Sequence, residues 1–220
     1  MVYTIVQLLI MSPDIGDQFQ KAGKLPYMQF IFPNAIENRD AMQTAWYRPT
    51  SLAAPPPGRP ELADEEDEEG LQESVKYVES ILDSLTSKGI PPNRIVLGGF
   101  SQGCAMSLLT ELTSRYSGKL AGIVGLMGHL PIPGRIQQLR TEASLPHVLG
   151  MVPMFLARGA EDRLVPRTKW EESIKNLRDL GASEEIAMEL HEYKGLGHSL
   201  SGELLQDLDV WLKKVVPALE

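Results

Sequence analysis

Ser101 sits in Gly99-Phe100-Ser101-Gln102-Gly103, directly after the apolar run Ile95-Val96-Leu97. A Gly-x-Ser-x-Gly sequence between a strand and a helix turns the chain so tightly that the serine hydroxyl stands clear of the sheet. Residues two before and two after the serine sit where a Cβ would collide with a neighbouring strand or helix, and glycine removes that collision. A helix starting near Gln102 brings free N–H groups and the positive end of its dipole to this hydroxyl, which favours developing negative charge. A helix-capping serine after a glycine turn is the competing interpretation. A hydroxyl is a weak nucleophile, so attack on an acyl carbon needs an adjacent base that a third group holds in place. The chain offers four histidines for that base, His129, His147, His191 and His198.

Regular elements have to hold these side chains, and hydrophobic periodicity supplies them. Val2 to Met11 is a near-continuous apolar run, as expected for a strand buried on both faces. Tyr27 to Phe32 is a second predicted strand, stopped by Pro33. Residues 34–59 read as loop, anchored by Trp46 and Tyr47. The acidic run Glu61 to Glu69 reads as a solvated loop leading into a helix from Leu71 to Lys88. That helix places Leu71, Val75, Val78, Ile81, Leu82 and Leu85 on one face and stops at Gly89.

The motif strand follows, then a helix from Gln102 to Tyr116 and a strand from Leu120 to Met127. Residues 132–150 carry no clean period and read as loop with room for one helical turn. Val152 to Ala157 is a strand, and Arg167 to Leu180 a helix with Trp170, Ile174, Leu177 and Leu180 on one stripe. Glu185 to Tyr193 alternates as a strand. Leu200 to Val216 is a final helix with Leu204, Leu208, Trp211, Leu212 and Val215 inward.

Strands and helices thus alternate, which predicts a mostly parallel central sheet with helices on both faces. Right-handed crossovers then gather the C-terminal strand ends along one edge, where ligands bind. With the serine turn, this is the α/β class and specifically the α/β-hydrolase fold. It is expected as a single domain over residues 1–220, with an acidic, Pro-rich surface loop at about 48–69.

That fold carries its catalytic groups in the order Ser, then Asp or Glu, then His. His129 and His147 precede the expected acid. His191 lies inside a strand pattern, which suits a structural histidine. His198, in the Gly-rich loop between the last strand and the last helix, reaches the sheet edge and is favoured as base. For the acid, Asp162 follows the strand Val152–Ala157 through Gly159. It is preferred to its neighbour Glu161 because its shorter side chain lies at the strand's end. Its role would be to fix the imidazole's tautomer and stabilise the imidazolium. The structural alternative for Asp162 is a salt bridge to Arg158 or Arg163.

The 220 residues carry a net charge of −8, which supplies no electrostatic footprint for nucleic acid or an anionic membrane surface. The single cysteine, Cys104, excludes an internal disulfide and fits a reducing compartment. The histidines lack metal-ligand spacing, so neither metal nor cofactor is expected. The apolar N-terminus has no basic start or small-residue cleavage site and is too short for a membrane span.

Several pieces together resemble the phospholipase/carboxylesterase family, which includes the acyl-protein thioesterases. They are Gly98-Gly99-Phe100-Ser101-Gln102-Gly103, Gly159 with Asp162, Gly197-His198, Ile31-Phe32-Pro33 and Trp46. The acidic approach to Leu71, the segment Gly89 to Ile95, Leu130-Pro131 and Leu164-Val165-Pro166 add to them. The likeness spans nearly the whole chain. It implies a compact serine esterase without a large lid, with Ser101 as nucleophile, Asp162 as acid and His198 as base. The chain departs from the family at its first loop, where Ile10-Met11-Ser12-Pro13-Asp14 replaces a His-Gly-x-Gly-Asp sequence that supplies an oxyanion-hole N–H. Trp46-Tyr47-Arg48 replaces Trp-Phe-Asp, and Arg158 stands where the family often has histidine.

The expected function is hydrolysis of acyl esters or thioesters, of an acylated protein or a lysolipid, by a cytoplasmic monomer or homodimer. The N–H groups of Gln102 and Ser12 would hold the oxyanion. Trp46, Leu130 and Leu164 are the candidate contacts for the acyl chain. The rival from another class is a binding protein of the same fold with a defective oxyanion hole, and the altered residues 10–13 are the feature in its favour.

Overall fold

The computed structural model describes residues 3–4, 23–38, 43–52, 65–182 and 187–217. Two short strand pairs come first. β1 (Tyr3–Thr4) runs parallel to β2 (Met28–Gln29), and β3 (Glu37–Asn38) antiparallel to β4 (Gln43–Thr44). The main sheet is β5 (Val96–Phe100), β6 (Gly122–Leu126), β7 (Met154–Gly159) and β8 (Met188–Tyr193), all parallel and in that spatial order. Among the described residues the helices are α1 (Glu68–Ser87), α2 (Gln102–Thr113), α3 (Ile136–Glu142), α4 (Arg167–Asp179) and α5 (Gly202–Val215).

The expected architecture is present. Successive residues of each central strand point to opposite faces, and both faces are covered. On one face, Leu97, Ile123, Met154 and Leu156 join a core with Val78 and Leu82 of α1, Leu109 of α2 and Ile174 of α4. On the other, Val96, Val124, Leu126 and Phe155 pack with Leu25, Met28 and the α5 residues Leu208, Trp211 and Leu212. Among the described residues, no helix is long and apolar enough to cross a membrane.

Local signals set the helix boundaries. α1 begins at Glu68 rather than Leu71 because Asp67 caps it, its Oδ1 accepting the Gly70 N–H at 3.1 Å. Glu68 and Glu69 in the first turn suit the positive end of the helix dipole. α5 starts after Ser201, whose Oγ accepts the Leu204 N–H at 3.2 Å. α2 stops at Thr113, and turns connected by the Ser117 N–H to the Ser114 carbonyl replace the last stretch expected of it.

Three segments differ from the sequence expectation. Residues 132–150 contain α3, seven residues long, after a 3-10 turn over Pro133–Arg135. α3 buries Ile136 and Leu139, and also Arg140, whose Nη1 donates to the Leu112 carbonyl at 2.6 Å and whose Nε donates to that of Pro146 at 3.0 Å. The β3–β4 hairpin lies in a region read as loop, because Glu37, Asn38, Gln43 and Thr44 show no alternation of apolar and polar types. Of the strand expected over Tyr27–Phe32, Met28–Gln29 pairs with Tyr3–Thr4 among the described residues. The first expected strand is described at Tyr3–Thr4 alone, and the rest of Val2–Met11 lies outside the described residues.

Candidate active site

Ser101 occupies the bend between β5 and α2, with φ 55° and ψ −117°. A positive φ at a residue with a side chain is uncommon and costs on the order of 1–3 kcal/mol, so its surroundings must impose it. They do so from both sides. The Ser101 N–H donates to the Leu126 carbonyl of β6 at 2.8 Å, and its carbonyl accepts the Ala105 N–H of α2 at 3.2 Å. A Cβ at Gly99 would stand 2.1 Å from the Gly103 carbonyl carbon, so the strand and helix meet at a distance only glycine allows. Gln102 is the first residue of α2. Its backbone N–H is one of those that a helix start leaves without an intrahelical partner.

The loop after β7 brings Asp162 to the loop after β8. The Ala160 N–H donates to the Tyr193 carbonyl, and the Glu161 N–H to the Leu196 carbonyl, both at 2.9 Å. His198 Nδ1 then lies 2.8 Å from Asp162 Oδ2, while Asp162 Oδ1 accepts the N–H groups of Leu164 at 2.9 Å and Val165 at 3.0 Å. The Asp162 side chain is 1% exposed, so its hydrogen bonds act with little competition from water. Glu161 and Arg163 point to solvent. Arg158 faces Glu192 at 3.4 Å rather than Asp162. The His198 ring stands edge-on to Phe100, with centroids 4.8 Å apart, so the residue before Ser101 also braces the imidazole.

Of the other histidines, two lie away from this site and one shares its cavity. His191 stacks between Phe155 and Tyr193 on the α5 side of the sheet, its nearest carboxylates being Glu189 and Asp207 at 3.9 Å. His147 is exposed. His129 is buried at the end of β6 and lines the same cavity as Ser101.

That cavity has a volume of about 360 Å³ and is lined by Ser101, Gln102, Tyr47, His129, Leu164, Val165 and residues 49–52. It falls in the lower part of the usual range for small-molecule sites. Leu164 forms its exposed rim. Trp46 and Leu130, the other two apolar candidates, belong instead to the buried core. The Trp46 ring lies tilted against Tyr77, with centroids 6.1 Å apart, and the Leu130 N–H donates to Ser173 Oγ at 2.8 Å. Ser12, with the altered loop at 10–13, lies outside the described residues.

Sequence reasoning missed how the cavity wall is secured. The Gln102 side chain takes the Trp46 N–H on Oε1 at 3.2 Å and donates through Nε2 to the Tyr47 carbonyl at 3.1 Å. The hydroxyl of Ser74 donates to the Trp46 carbonyl, and the Arg48 N–H donates to Asp67 Oδ2 at 2.7 Å. Arg48 in place of an acid is accommodated through its backbone. The acidic run is also not simply solvated. Glu66 accepts the Ile132 N–H at 2.8 Å, and Arg135 Nη2 donates to Glu68 Oε1 at 2.9 Å. Burial pushes the Glu66 carboxyl up, but His129 and the Ile132 N–H outweigh it and hold it below the ordinary carboxylate value. Burial, with Glu66 and Cys104 adding to it, pushes the Tyr47 phenol well above its ordinary value. The signal for this wall was His129's place at the C-terminal end of a strand, on the edge where such folds bind ligands.

Known proteins resemble this chain in sequence and in fold. The profile of the phospholipase/carboxylesterase family matches residues 13–216. An acyl-protein thioesterase 1 from Yarrowia lipolytica is 34% identical over 207 residues, covering 91% of this chain and 83% of the relative. One from Emericella nidulans is 33% identical over 229 residues, covering 96% and 90%. Among solved structures, Arabidopsis thaliana SOBER1 superposes with a TM-score of 0.76 at 24% identity, covering 97% of this chain and 98% of the other. Zea mays acyl-protein thioesterase 2 gives a TM-score of 0.73 at 24% identity, covering 97% and 93%. The chain therefore belongs to the phospholipase/carboxylesterase family of α/β-hydrolases.

Proposed function

We propose that Ser101 is the nucleophile, His198 the base and Asp162 the orienting acid of a serine hydrolase that cleaves acyl esters or thioesters. The observation that carries these roles is the 2.8 Å approach of His198 Nδ1 to Asp162 Oδ2. With Nδ1–H donating to the carboxylate, Nε2 is left bare to take the serine proton. Hydrolase activity itself follows from the family and from the acyl-protein thioesterase relatives, which count against a pure binding role.

Ser101 Oγ attacks the acyl carbon as its proton passes to His198 Nε2. The carbonyl oxygen becomes an oxyanion, received by the Gln102 N–H at the start of α2 and, in this proposal, by that of Ser12. Such donors are each worth on the order of 100- to 1,000-fold in rate. His198 returns the proton to the departing alcohol or thiol, and the acyl group stays on Ser101. Water, deprotonated by His198, then attacks the acyl-enzyme, and the proton returns to Ser101 as the carboxylic acid leaves.

An acylated protein or a lysolipid is the proposed natural substrate, with its chain entering past Leu164. A cytoplasmic setting, and a monomer or homodimer, belong to the same proposal. The single buried cysteine suits a reducing compartment. The test is turnover of matched octanoyl thioester and p-nitrophenyl octanoate by wild type and Ser101→Ala. Turnover of either substrate that vanishes in the variant supports the assignment, and equal turnover in both proteins would refute it.

A further inference from the structure

His129 and Glu66 form a second histidine–carboxylate pair beside Ser101, and the proposed reaction makes no use of it. His129 follows β6, is 7% exposed, and shares the cavity wall with Ser101. Its Nε2 faces Glu66 Oε1 at 3.6 Å. The carboxylate cannot easily swing away. Its other oxygen holds the Ile132 N–H at 2.8 Å, and the Glu66 backbone carbonyl accepts the Glu68 N–H at 2.9 Å as α1 begins.

This pairing sets the chemistry of the imidazole. Glu66 is held ionised by its partners, so it can only accept, and it favours the tautomer with the proton on Nε2. In the neutral ring Nδ1 is then an acceptor, and in the protonated ring a donor. The other titratable groups in Glu66's electrostatic neighbourhood are Tyr47 from the loop after β4 and Lys169 from α4. A plain alkyl group packed against this ring would strip water from Nδ1 and give nothing back, which is unfavourable for a polar group. A hydroxyl would satisfy Nδ1 in either protonation state. The cavity's Thr50 and Ser51 also make it more polar than a simple alkyl channel.

We infer that His129 is a specificity-determining residue that favours esters carrying a hydroxyl in the part lying against it. The inference rests on Ser101 being the nucleophile of an ester hydrolase. The hydroxyl belongs either to the acyl chain or to the alcohol, and the two sources can be distinguished.

The experiment measures kcat/KM for the full chain, His129→Leu and His129→Gln on two sets of esters. The acyl set is p-nitrophenyl hexanoate with its 3-hydroxy and 6-hydroxy forms. The alcohol set is propyl hexanoate with 1-monohexanoylglycerol. The expected result is a hydroxyl preference on the order of tenfold in one set, as for one satisfied polar group. His129→Leu collapses that ratio, losing rate on the hydroxylated ester and gaining it on the plain one. His129→Gln, whose amide can donate and accept, retains much of the preference. The set showing the effect identifies the source. A ratio that is the same in wild type and His129→Leu in both sets overturns the role of His129 and leaves Ser101 untouched. A folded wild type inert on every ester overturns both.

Discussion

Gly159 and Leu196 approach so closely that a Cβ on the glycine would stand 2.1 Å from the Leu196 carbonyl oxygen and 2.4 Å from that of Gly197. The loop carrying Asp162 therefore passes against the loop carrying His198 with no room for a side chain. Gly159→Ala must push the two loops apart. A displacement of about 1 Å at the reacting groups is enough for a roughly 100-fold loss of kcat/KM. The added methyl also costs roughly 2–3 kcal/mol of stability through overpacking. Ester kinetics with a urea melt measure both. A variant within threefold of wild type in rate would show that this contact does not align the pair.

Asp162 and Glu161 are neighbours with opposite surroundings, one buried against His198 and one exposed. Asp162→Asn keeps the shape but favours the wrong imidazole tautomer, and kcat should fall by on the order of 1,000- to 10,000-fold. Glu161→Gln should stay within about twofold of wild type, since it removes only an exposed charge. Reversal of these two results would move the acid to Glu161.

Gln102 is expected to act in two separable ways. Its N–H is the proposed oxyanion donor, whereas its side chain holds the buried Trp46 and, beside it, Tyr47 on the cavity wall. Gln102→Leu keeps the N–H and removes both side-chain bonds, each worth about 1 kcal/mol. KM should rise by roughly tenfold with a much smaller fall in kcat, the pattern of lost uniform binding. A large fall in kcat with unchanged KM would mean that the side chain acts on the transition state instead.

Glu111 is fully buried in α2, with Oε1 accepting the Gly118 N–H at 2.8 Å. Burial pushes its carboxyl from 4.5 up to about 8, against the pull of the Gly118 N–H and of Arg140. Because the folded value is raised, its contribution to stability is fully present below about pH 4.5 and is lost as pH climbs to about 8. Glu111→Gln keeps an acceptor for Gly118 and cannot ionise. Wild type should therefore lose several kcal/mol relative to this variant between about pH 5 and 9, since each tenfold difference in proton affinity between the folded and unfolded chains is worth about 1.4 kcal/mol. Urea unfolding at both pH values measures the difference, and parallel pH profiles would show that Glu111 does not titrate on unfolding.

The sheet, the bend at Ser101 and the meeting of Asp162 with His198 were legible because their signals are local. Glycines mark each close approach, strand ends mark the edge, and the order along the chain is the basis of the proposed roles. The cavity wall was not legible. Trp46 and Leu130 are apolar, and residue type alone does not tell a core side chain from a ligand contact. Glu66 lay in a run of charges whose ordinary fate is solvation, and its partners Ile132 and His129 come from a distant loop. α3 was missed because its burial includes Arg140, whose cost is met by backbone carbonyls of Leu112 and Pro146 that no periodicity encodes.

The central claim is that Ser101 is activated by a histidine held on Asp162. A fluorophosphonate probe tests it most directly, with intact mass and peptide mapping as readouts. Wild type should gain one adduct on the peptide containing Ser101, Ser101→Ala none, and His198→Ala the adduct at a rate lower by at least about 1,000-fold. A folded wild type that stays unlabelled, or a label that forms equally fast in Ser101→Ala, would contradict the account.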